Sequence, residues 1–230
     1  MTSRIMRRTS LIPLSIFASA LACSDPKPEP PPPTVRQVIQ QHARADIRPD
    51  SFTMAADRGR VLGDSTAPVW VVVVSDFQCE ACKQWSEEVL PDLRDRYVSR
   101  GRVRVALLNR PLPSHENAVP AALVATCAAA EGKFWQTARR IFATQARWKG
   151  LPDARPFLDS LALASGVDSA AHRICSDQSR GQKLLNNDEE RTTASRVDSV
   201  PTFFIGTHRR VGAMSWRTFF AVLDSAIAGK

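Results

Sequence analysis

The sequence predicts an α/β fold that opens on a strand–helix–strand unit and closes on a short hairpin and a helix. A continuous β-branched run within residues 68–77 is typical of a strand that is covered on both faces. A helical pattern of apolar residues follows this run directly, and a second apolar run over residues 103–108 comes next. A strand, a helix and a strand in this order form a βαβ unit, which implies a parallel sheet.

The first strand is predicted over Pro68–Phe77, and the helix after it places its apolar residues three or four positions apart. Pro91 lies inside this helical pattern and is expected to kink the helix, because proline lacks the backbone N–H. The second strand is predicted over Val103–Leu108 and is closed by two prolines. The apolar residues of the helix are Cys82, Trp85, Val89, Leu93 and Tyr97.

Residues 115–190 are predicted to be mostly helical, with Ser114 as a candidate cap and Pro120 as a bend or part of the true first turn. The C-terminal part changes to a short strand at Thr202–Ile205, with Arg209–Val211 as its candidate hairpin partner. Ser215 is expected to cap a last helix. The apolar face of that helix is expected to hold Trp216, Phe219, Phe220, Leu223 and Ile227.

The composition is that of a globular protein: of 230 residues, 43% are hydrophobic and 23% are charged. These proportions exclude a disordered or collagen-like chain. No apolar run reaches the ~18 residues of a membrane-spanning helix. The formal charge is +8, and without the three arginines of the first ten residues it is +5, a mild excess that does not imply nucleic acid.

The N-terminus predicts export. Residues 1–22 join a basic head to a short apolar core and small final residues, as in a signal peptide; a buried N-terminal helix is the alternative. The segment ends in Ala20-Leu21-Ala22-Cys23, which suits an ordinary signal peptidase and also resembles a bacterial lipoprotein box. Six prolines follow within residues 23–33, so residues 23–50 are predicted to be a Pro-rich tether. We therefore expect Cys23 to be a lipid anchor, with simple secretion as the alternative.

Cys79-Glu80-Ala81-Cys82 stands where the first strand passes into its helix. Cysteines three positions apart in a first helical turn bring their sulfurs close enough to bond. The unpaired N–H groups of a helix start also favour a thiolate on Cys79. We expect an exposed Cys79 to attack and an inward Cys82 to resolve the mixed disulfide. Half of a zinc site is the alternative, but no second ligand pair has metal-like spacing, and a structural disulfide would close only a tiny loop.

Cys127 and Cys175 fall in the region that is predicted to be helical. In an exported protein such a pair favours a structural disulfide, with two reduced core thiols as the alternative. The odd count of five cysteines then has an explanation: one is lipidated, two are redox-active and two are structural.

Several sequence motifs occur in order over roughly residues 60–228. They are Val61-Leu62-Gly63-Asp64, Ala67-Pro68-Val69, Ser75-Asp76-Phe77-Gln78-Cys79 with Cys82, Arg110 to Ala118, Gly132-Lys133-Phe134-Trp135, and Val200-Pro201-Thr202-Phe203-Phe204. Together they resemble the DsbA-like branch of the thioredoxin-fold family. The resemblance implies a thioredoxin fold with a helical domain inserted after the βαβ unit. Its two thioredoxin-fold parts are then expected at residues 51–114 and 193–230, and the insertion at residues 115–192.

The resemblance also implies thiol–disulfide exchange with exported proteins. It matches Val200 and Pro201 to the family's cis-proline loop, where the backbone of Val200 would hydrogen-bond an extended client beside Cys79. His115 belongs to another of the matching motifs and is expected near a helix start, as a capping-region residue rather than a catalyst.

The chain departs from the family at two places near the cysteine pair. Glu80-Ala81 stands where the family commonly has Pro-His or Pro-Tyr, and Val73 stands where it often has a buried carboxylate. We expect the Glu80 carboxylate to lie near the Cys79 sulfur and to raise the pKa of that thiol, which would make the pair a weaker oxidant.

The sequence thus predicts an exported thiol–disulfide oxidoreductase of the periplasm or cell envelope, held by a lipid anchor, in which oxidation is favoured over reduction or isomerisation. Its partners are exported client proteins with thiols or disulfides and an electron partner that the sequence does not reveal; no nucleic acid is expected. No dissociable cofactor or metal is needed, because the Cys79–Cys82 disulfide carries two electrons. The alternative is a non-enzymatic, metal-handling envelope lipoprotein that uses the same cysteine pair.

Overall fold

The computed structural model describes residues 50–177 and 179–229. The predicted signal peptide, the Cys23 anchor and all but the last residue of the predicted tether lie outside the described residues. Across the part that is described, no helix combines the length and the apolar character needed to cross a membrane.

The described chain folds into helices and strands, and most of its helices follow one another in the middle of the chain. The helices are α1 (Ser51–Gly59), α2 (Glu80–Glu88), α3 (Leu90–Leu93), α4 (Ala118–Ala129), α5 (Phe134–Ala143), α6 (Gln145–Trp148), α7 (Arg155–Ala164), α8 (Ser169–Asp177), α9 (Ser179–Ala194) and α10 (Trp216–Ala228). The strands are β1 (Val61–Leu62), β2 (Val69–Ser75), β3 (Val103–Asn109), β4 (Thr202–Ile205) and β5 (His208–Val211).

The described strands form a five-stranded sheet in the order β1-β3-β2-β4-β5. β2 and β3 are parallel and in register from Val69 opposite Val103 to Ser75 opposite Asn109. The other neighbours are antiparallel. The predicted α/β class and its βαβ unit are therefore confirmed, and helices α4–α9 lie between β3 and β4 in the chain.

The unbroken valine run of β2 is buried on both faces of the sheet. Val72 packs into an apolar cluster with Phe142 of α5, while Val73 packs into a second cluster with Phe203 of β4 and Phe219 of α10. A strand that is covered on both sides needs no polar face, which is why its sequence does not alternate. The carboxyl ends of β2 and β3 lie side by side, and β2 leads from there into α2.

The structure corrects two helix boundaries. The single kinked helix that was expected after β2 is divided: α2 ends at Glu88, and α3 and a π-helical turn, Arg94–Val98, follow. Pro91 occupies the first turn of α3, where a backbone N–H would have no partner within the helix, so proline costs no hydrogen bond there. Helix α4 begins after Asn117 rather than at Ser114, and this places Pro120 in its first turn.

The last helix also differs from its predicted face. Ser215 caps α10 as expected, because its side chain accepts a hydrogen bond from the backbone N–H of Thr218. Trp216, however, is the first residue of the helix, lies before the first buried residue and is 49% exposed. Phe219 and Leu223 of the predicted face are fully buried.

A buried ion-pair network joins α1 to α9. The guanidinium of Arg60 contacts both carboxylate oxygens of Asp188, at 2.7 and 2.6 Å, and also pairs with Asp57. Asp188 also accepts hydrogen bonds from the backbone and the side chain of Asn109, at 3.0 and 2.9 Å. Burial raises the pKa of Asp57, but its ion pairs with Arg191 and Arg60 outweigh burial and lower it to about 2.

A disulfide joins Cys127 of α4 to Cys175 of α8, with their Cα atoms 5.7 Å apart and a sequence separation of 48. The bond lies in closely packed surroundings. A Cβ atom at Gly181 of α9 would lie 3.0 Å from the Cys127 sulfur, so α9 can approach the bond only with glycine at this position.

Candidate active site

Cys79 and Cys82 are free thiols at the start of α2. Cys79 is the N-cap residue, and its sulfur accepts a hydrogen bond from the backbone N–H of Cys82 at 3.4 Å. The expectation of an exposed Cys79 is not met, because 9% of its surface is accessible, against 1% for Cys82. Cys79 is nevertheless the more accessible of the two sulfur-bearing residues, and Cys82 lies inward.

The two thiols have opposite acidities. A hydrogen bond from the Cys82 side chain, helped by backbone N–H groups of Cys82 and Ala81, lowers the pKa of Cys79 to about 7. Burial opposes this shift. Burial, with the hydrogen bond to Cys79, raises the pKa of Cys82. Near neutral pH a substantial fraction of Cys79 is therefore a thiolate, while Cys82 stays an inward thiol.

Val200, the residue before Pro201, faces the Cys79 sulfur. The peptide bond between Val200 and Pro201 is cis, and the Cys79 thiol points to the carbonyl oxygen of Val200 at 3.8 Å. The loop is held on its other side, because the carbonyl of Pro201 accepts a hydrogen bond from the backbone N–H of Gly212 at 2.8 Å. Residues 121 positions apart are thus brought together at one point.

Gln145, which the sequence analysis did not single out, holds the loop that carries Cys79. Its side-chain amide donates to the carbonyl oxygens of Phe77 and Cys79, at 2.8 and 3.2 Å. Gln78 of the same loop accepts a hydrogen bond from the backbone N–H of Asn117 at 2.9 Å. No local pattern marks Gln145, because its role depends on contacts across 66 or more residues of sequence.

Asp76 is a buried carboxylate three positions before Cys79. Its oxygens accept hydrogen bonds from the backbone N–H groups of Gln78 and Leu112, each at 2.7 Å, and contact the His115 ring at 2.8 Å. The Asp76 side chain is fully buried, whereas that of His115 is 25% exposed. The charge of Asp76 raises the pKa of Cys79, although less strongly than the hydrogen bonds to the sulfur lower it.

Glu80 does not have the surroundings that were expected of it. Its side chain is 69% exposed and pairs with Lys83 at 3.8 Å and with Lys149 at 3.9 Å. The expectation that Glu80 governs Cys79 overlooked these two cations, one of which lies at the end of α6. Asp76 is a carboxylate that acts on the thiolate, and it lies on the strand side of the pair.

Within the described residues, no group of three or more histidines, cysteines or acids lies close enough to hold a metal ion. Cys127 and Cys175 form their disulfide in the helical region and are no part of the site around Cys79. The site is therefore a thiol pair at a helix start, accompanied by a cis-proline loop and a buried carboxylate.

Comparisons with known proteins show the family to which the chain belongs. A family model described as thioredoxin matches residues 55–225. The Na(+)/H(+) antiporter NhaA 3 of Salinispora tropica is 32% identical over 176 residues, which is 75% of this chain but 25% of the antiporter. The chain thus spans a quarter of that relative's length, and antiport does not follow from the match.

One further relative and one solved structure match over more of their own length. The probable disulfide bond formation protein D of Bacillus cereus is 25% identical over 152 residues, covering 63% of this chain and 68% of that protein. The crystal structure of oxidised BdbD from Bacillus subtilis superposes with a TM-score of 0.67 at 20% identity, over 75% of this chain and 95% of that one. The chain belongs to the thioredoxin family and has the fold of the family's DsbA-like members.

Proposed function

We propose that this protein is a thiol–disulfide oxidoreductase that exchanges disulfides with client proteins through Cys79 and Cys82. The observation that carries the proposal is the contrast between the two sulfurs. Cys79 has a pKa lowered to about 7 and the greater accessibility, and Cys82 is an inward thiol. The cysteine that attacks the client or leaves it must form a stable thiolate, as Cys79 can. The resolving cysteine, Cys82, needs only to lie close enough to attack the Cys79 sulfur.

The proposed reaction moves two electrons between client and protein. In the oxidising direction, a client thiolate attacks the Cys79 sulfur, the Cys79–Cys82 bond breaks, and Cys82 leaves and takes up a proton. A second client thiolate then attacks the client sulfur of the mixed disulfide, and Cys79 leaves as a thiolate. The client gains one disulfide and the pair is reduced to two thiols; reduction of a client is the reverse sequence.

The cis-proline loop would seat the client during these steps. The carbonyl of Val200 lies 3.8 Å from the Cys79 sulfur, so an extended segment paired with this backbone would bring its own sulfur to Cys79. Recognition through main-chain hydrogen bonds suits an enzyme that must accept many sequences. Val200 and Pro201 are therefore proposed as the client-binding residues.

Oxidation is our first choice of direction, and reduction is the second. Stabilising the Cys79 thiolate stabilises the reduced pair, and this favours oxidation of the client. A pKa of about 7 is, however, a moderate lowering within the known range of ~3.5–7.5. We therefore expect a mild oxidant, and the reduction potential decides between the two directions.

The proposed location is the periplasm or cell envelope, with the chain held by a lipid on Cys23. The support is the sequence of residues 1–33, where a signal-like segment, a cysteine and a proline-rich spacer follow one another. Mass spectrometry of the native protein should find a diacylglyceryl group on Cys23. A soluble mature form with an unmodified Cys23 would leave simple secretion.

The test of the activity compares four proteins in insulin reduction, in oxidation of a dithiol peptide, and at equilibrium with glutathione. They are the wild type, Cys79→Ser, Cys82→Ala, and a Cys127→Ala/Cys175→Ala control that lacks the other disulfide. We expect the control to exchange like the wild type and Cys79→Ser to be inactive in both directions. Normal exchange by Cys79→Ser would refute the proposal.

A further inference from the structure

We propose that Asp76 and His115 form a positioning pair that sets how strongly the Cys79–Cys82 pair oxidises its clients. In this pair the buried carboxylate disfavours the Cys79 thiolate, and the hydrogen bond from His115 limits that effect. The inference rests on the proposed function, because it concerns the chemistry of the same two cysteines.

The first step of the argument is the position of the carboxylate. Asp76 is the first residue after β2, and it lies in the short connection that leads to the N-cap residue Cys79. Its backbone carbonyl accepts a hydrogen bond from the backbone N–H of Cys79 at 3.2 Å, so the two residues share one turn. The backbone of Asp76 also lowers the pKa of the Cys82 thiol, against the larger effect of burial. Asp76 is therefore linked to both members of the redox pair through its backbone.

The second step is the electrostatic effect of the side chain. The Asp76 side chain has no exposed surface, so water screens its charge poorly and the charge can act on the nearby thiolate. The sign is unfavourable, because the Asp76 charge raises the pKa of Cys79. A charge that destabilises the thiolate also destabilises the reduced pair and so makes the pair less oxidising.

The third step is the role of His115. A buried carboxylate needs several donors, and Asp76 has two backbone N–H groups and the His115 ring. Of these three partners, the imidazole is the ionisable one, and it is partly exposed. Its hydrogen bond draws electron density away from the carboxylate and so reduces the charge that Cys79 experiences. His115 thus acts on Cys79 only through Asp76.

The chain contains a matched control. Nε2 of His172 in α8 contacts Asp159 of α7 at 2.7 Å, whereas His115 contacts Asp76 through Nδ1. His172 is buried. This second imidazole–carboxylate pair joins two helices and is no part of the turn that carries Cys79. Loss of an imidazole there should affect stability alone.

The experiment measures the glutathione equilibrium constant and the thiolate absorbance of Cys79 against pH. We expect Asp76→Asn to make the pair more oxidising by roughly tenfold, because one pKa unit of the thiol corresponds to a tenfold change. We expect His115→Ala to shift the constant in the opposite direction by roughly threefold. His115→Asn, whose amide can donate near the position of the ring nitrogen, should restore part of the wild-type value.

Non-additivity is the decisive result. In the Asp76→Asn background, His115→Ala should change the constant by less than about twofold, since its effect requires the carboxylate. An equal effect of His115→Ala in both backgrounds would overturn the inference, as would wild-type constants in both single variants. His172→Gln should leave the constant unchanged, and a shift there as large as that of His115→Ala would also overturn it.

Two further measurements, thermal unfolding and the glutathione exchange of the wild type, separate a failure of this inference from misfolding and from a failure of the proposed function. Thermal unfolding shows whether each variant is folded. If Asp76→Asn is not folded, the decision rests on the shift of His115→Ala towards a weaker oxidant and on its partial rescue by His115→Asn. A wild type that does not exchange with glutathione would contradict the proposed function itself. A wild type that exchanges, with variants that match it, would contradict only the role of Asp76 and His115.

Discussion

Removal of the Cys127–Cys175 disulfide should destabilise the protein without affecting exchange. The bond closes a loop with a sequence separation of 48. In the chain-entropy model, a loop of this length restricts the unfolded chain by about 4 kcal/mol at 25 °C, and measured disulfides commonly contribute ~2–4 kcal/mol. We therefore expect the Cys127→Ala/Cys175→Ala variant to lose ~2–4 kcal/mol of unfolding free energy.

Urea denaturation measures this loss. The disulfide that Cys79 and Cys82 can form must be absent from both proteins, so that it does not contribute to the comparison. Both proteins should carry Cys79→Ser and Cys82→Ser. Among the described cysteines, the two proteins then differ only in the Cys127–Cys175 bond. Reduction of the reference protein should reproduce the loss, because it opens the same loop. The reasoning is refuted if the two unfolding free energies agree within about 0.5 kcal/mol, or if peptide mapping of the native protein finds both cysteines free.

Three further predictions concern other parts of the molecule. Alkylation of the reduced protein by iodoacetamide should accelerate through a midpoint near pH 7 at Cys79, and a midpoint near pH 9 would contradict the lowered pKa. Gly59→Ala should cost more than about 2 kcal/mol, because its Cβ would lie 1.8 Å from the carbonyl oxygen of Ala129, whereas Gly150→Ala, with no atom within 4 Å, should change stability by less than ~0.5 kcal/mol. Because the folded-state pKa of Asp57 is lowered to about 2, its ion pairs should stabilise the protein above about pH 4 and lose roughly 2 kcal/mol as pH falls to 2, a dependence that Asp57→Asn should remove.

The strands other than β1, which was not predicted, and the position of the cysteine pair could be predicted because their signals are local. The unbroken valine run marks a strand that is buried on both faces, and β2 has that burial throughout its valines. Thr202–Ile205 is the strand that was predicted, to the residue. Two cysteines three positions apart after a strand indicate a helix start, and Cys79 is the N-cap of α2.

The environment of the pair could not be predicted because it depends on contacts between distant parts of the chain. His115 lies 39 residues from Asp76, and Gln145 lies 66 residues from Cys79, so no spacing rule connects them. They meet because β2 and β3 end side by side and α6 packs against the turn that follows β2. The expected influence of Glu80 was misjudged for the same reason, since Lys149 comes from the end of that helix.

Trapping of a mixed disulfide tests the central claim most directly. The Cys82→Ala variant is incubated in reduced form with oxidised glutathione, or with a disulfide-bonded peptide, so that the Cys79 thiolate attacks that disulfide and releases one thiol. The adduct is mapped by mass spectrometry. We predict a stable adduct on Cys79, because the thiol that would resolve it has been removed. An unmodified Cys79, or an adduct that forms equally well in Cys79→Ser, would contradict the account.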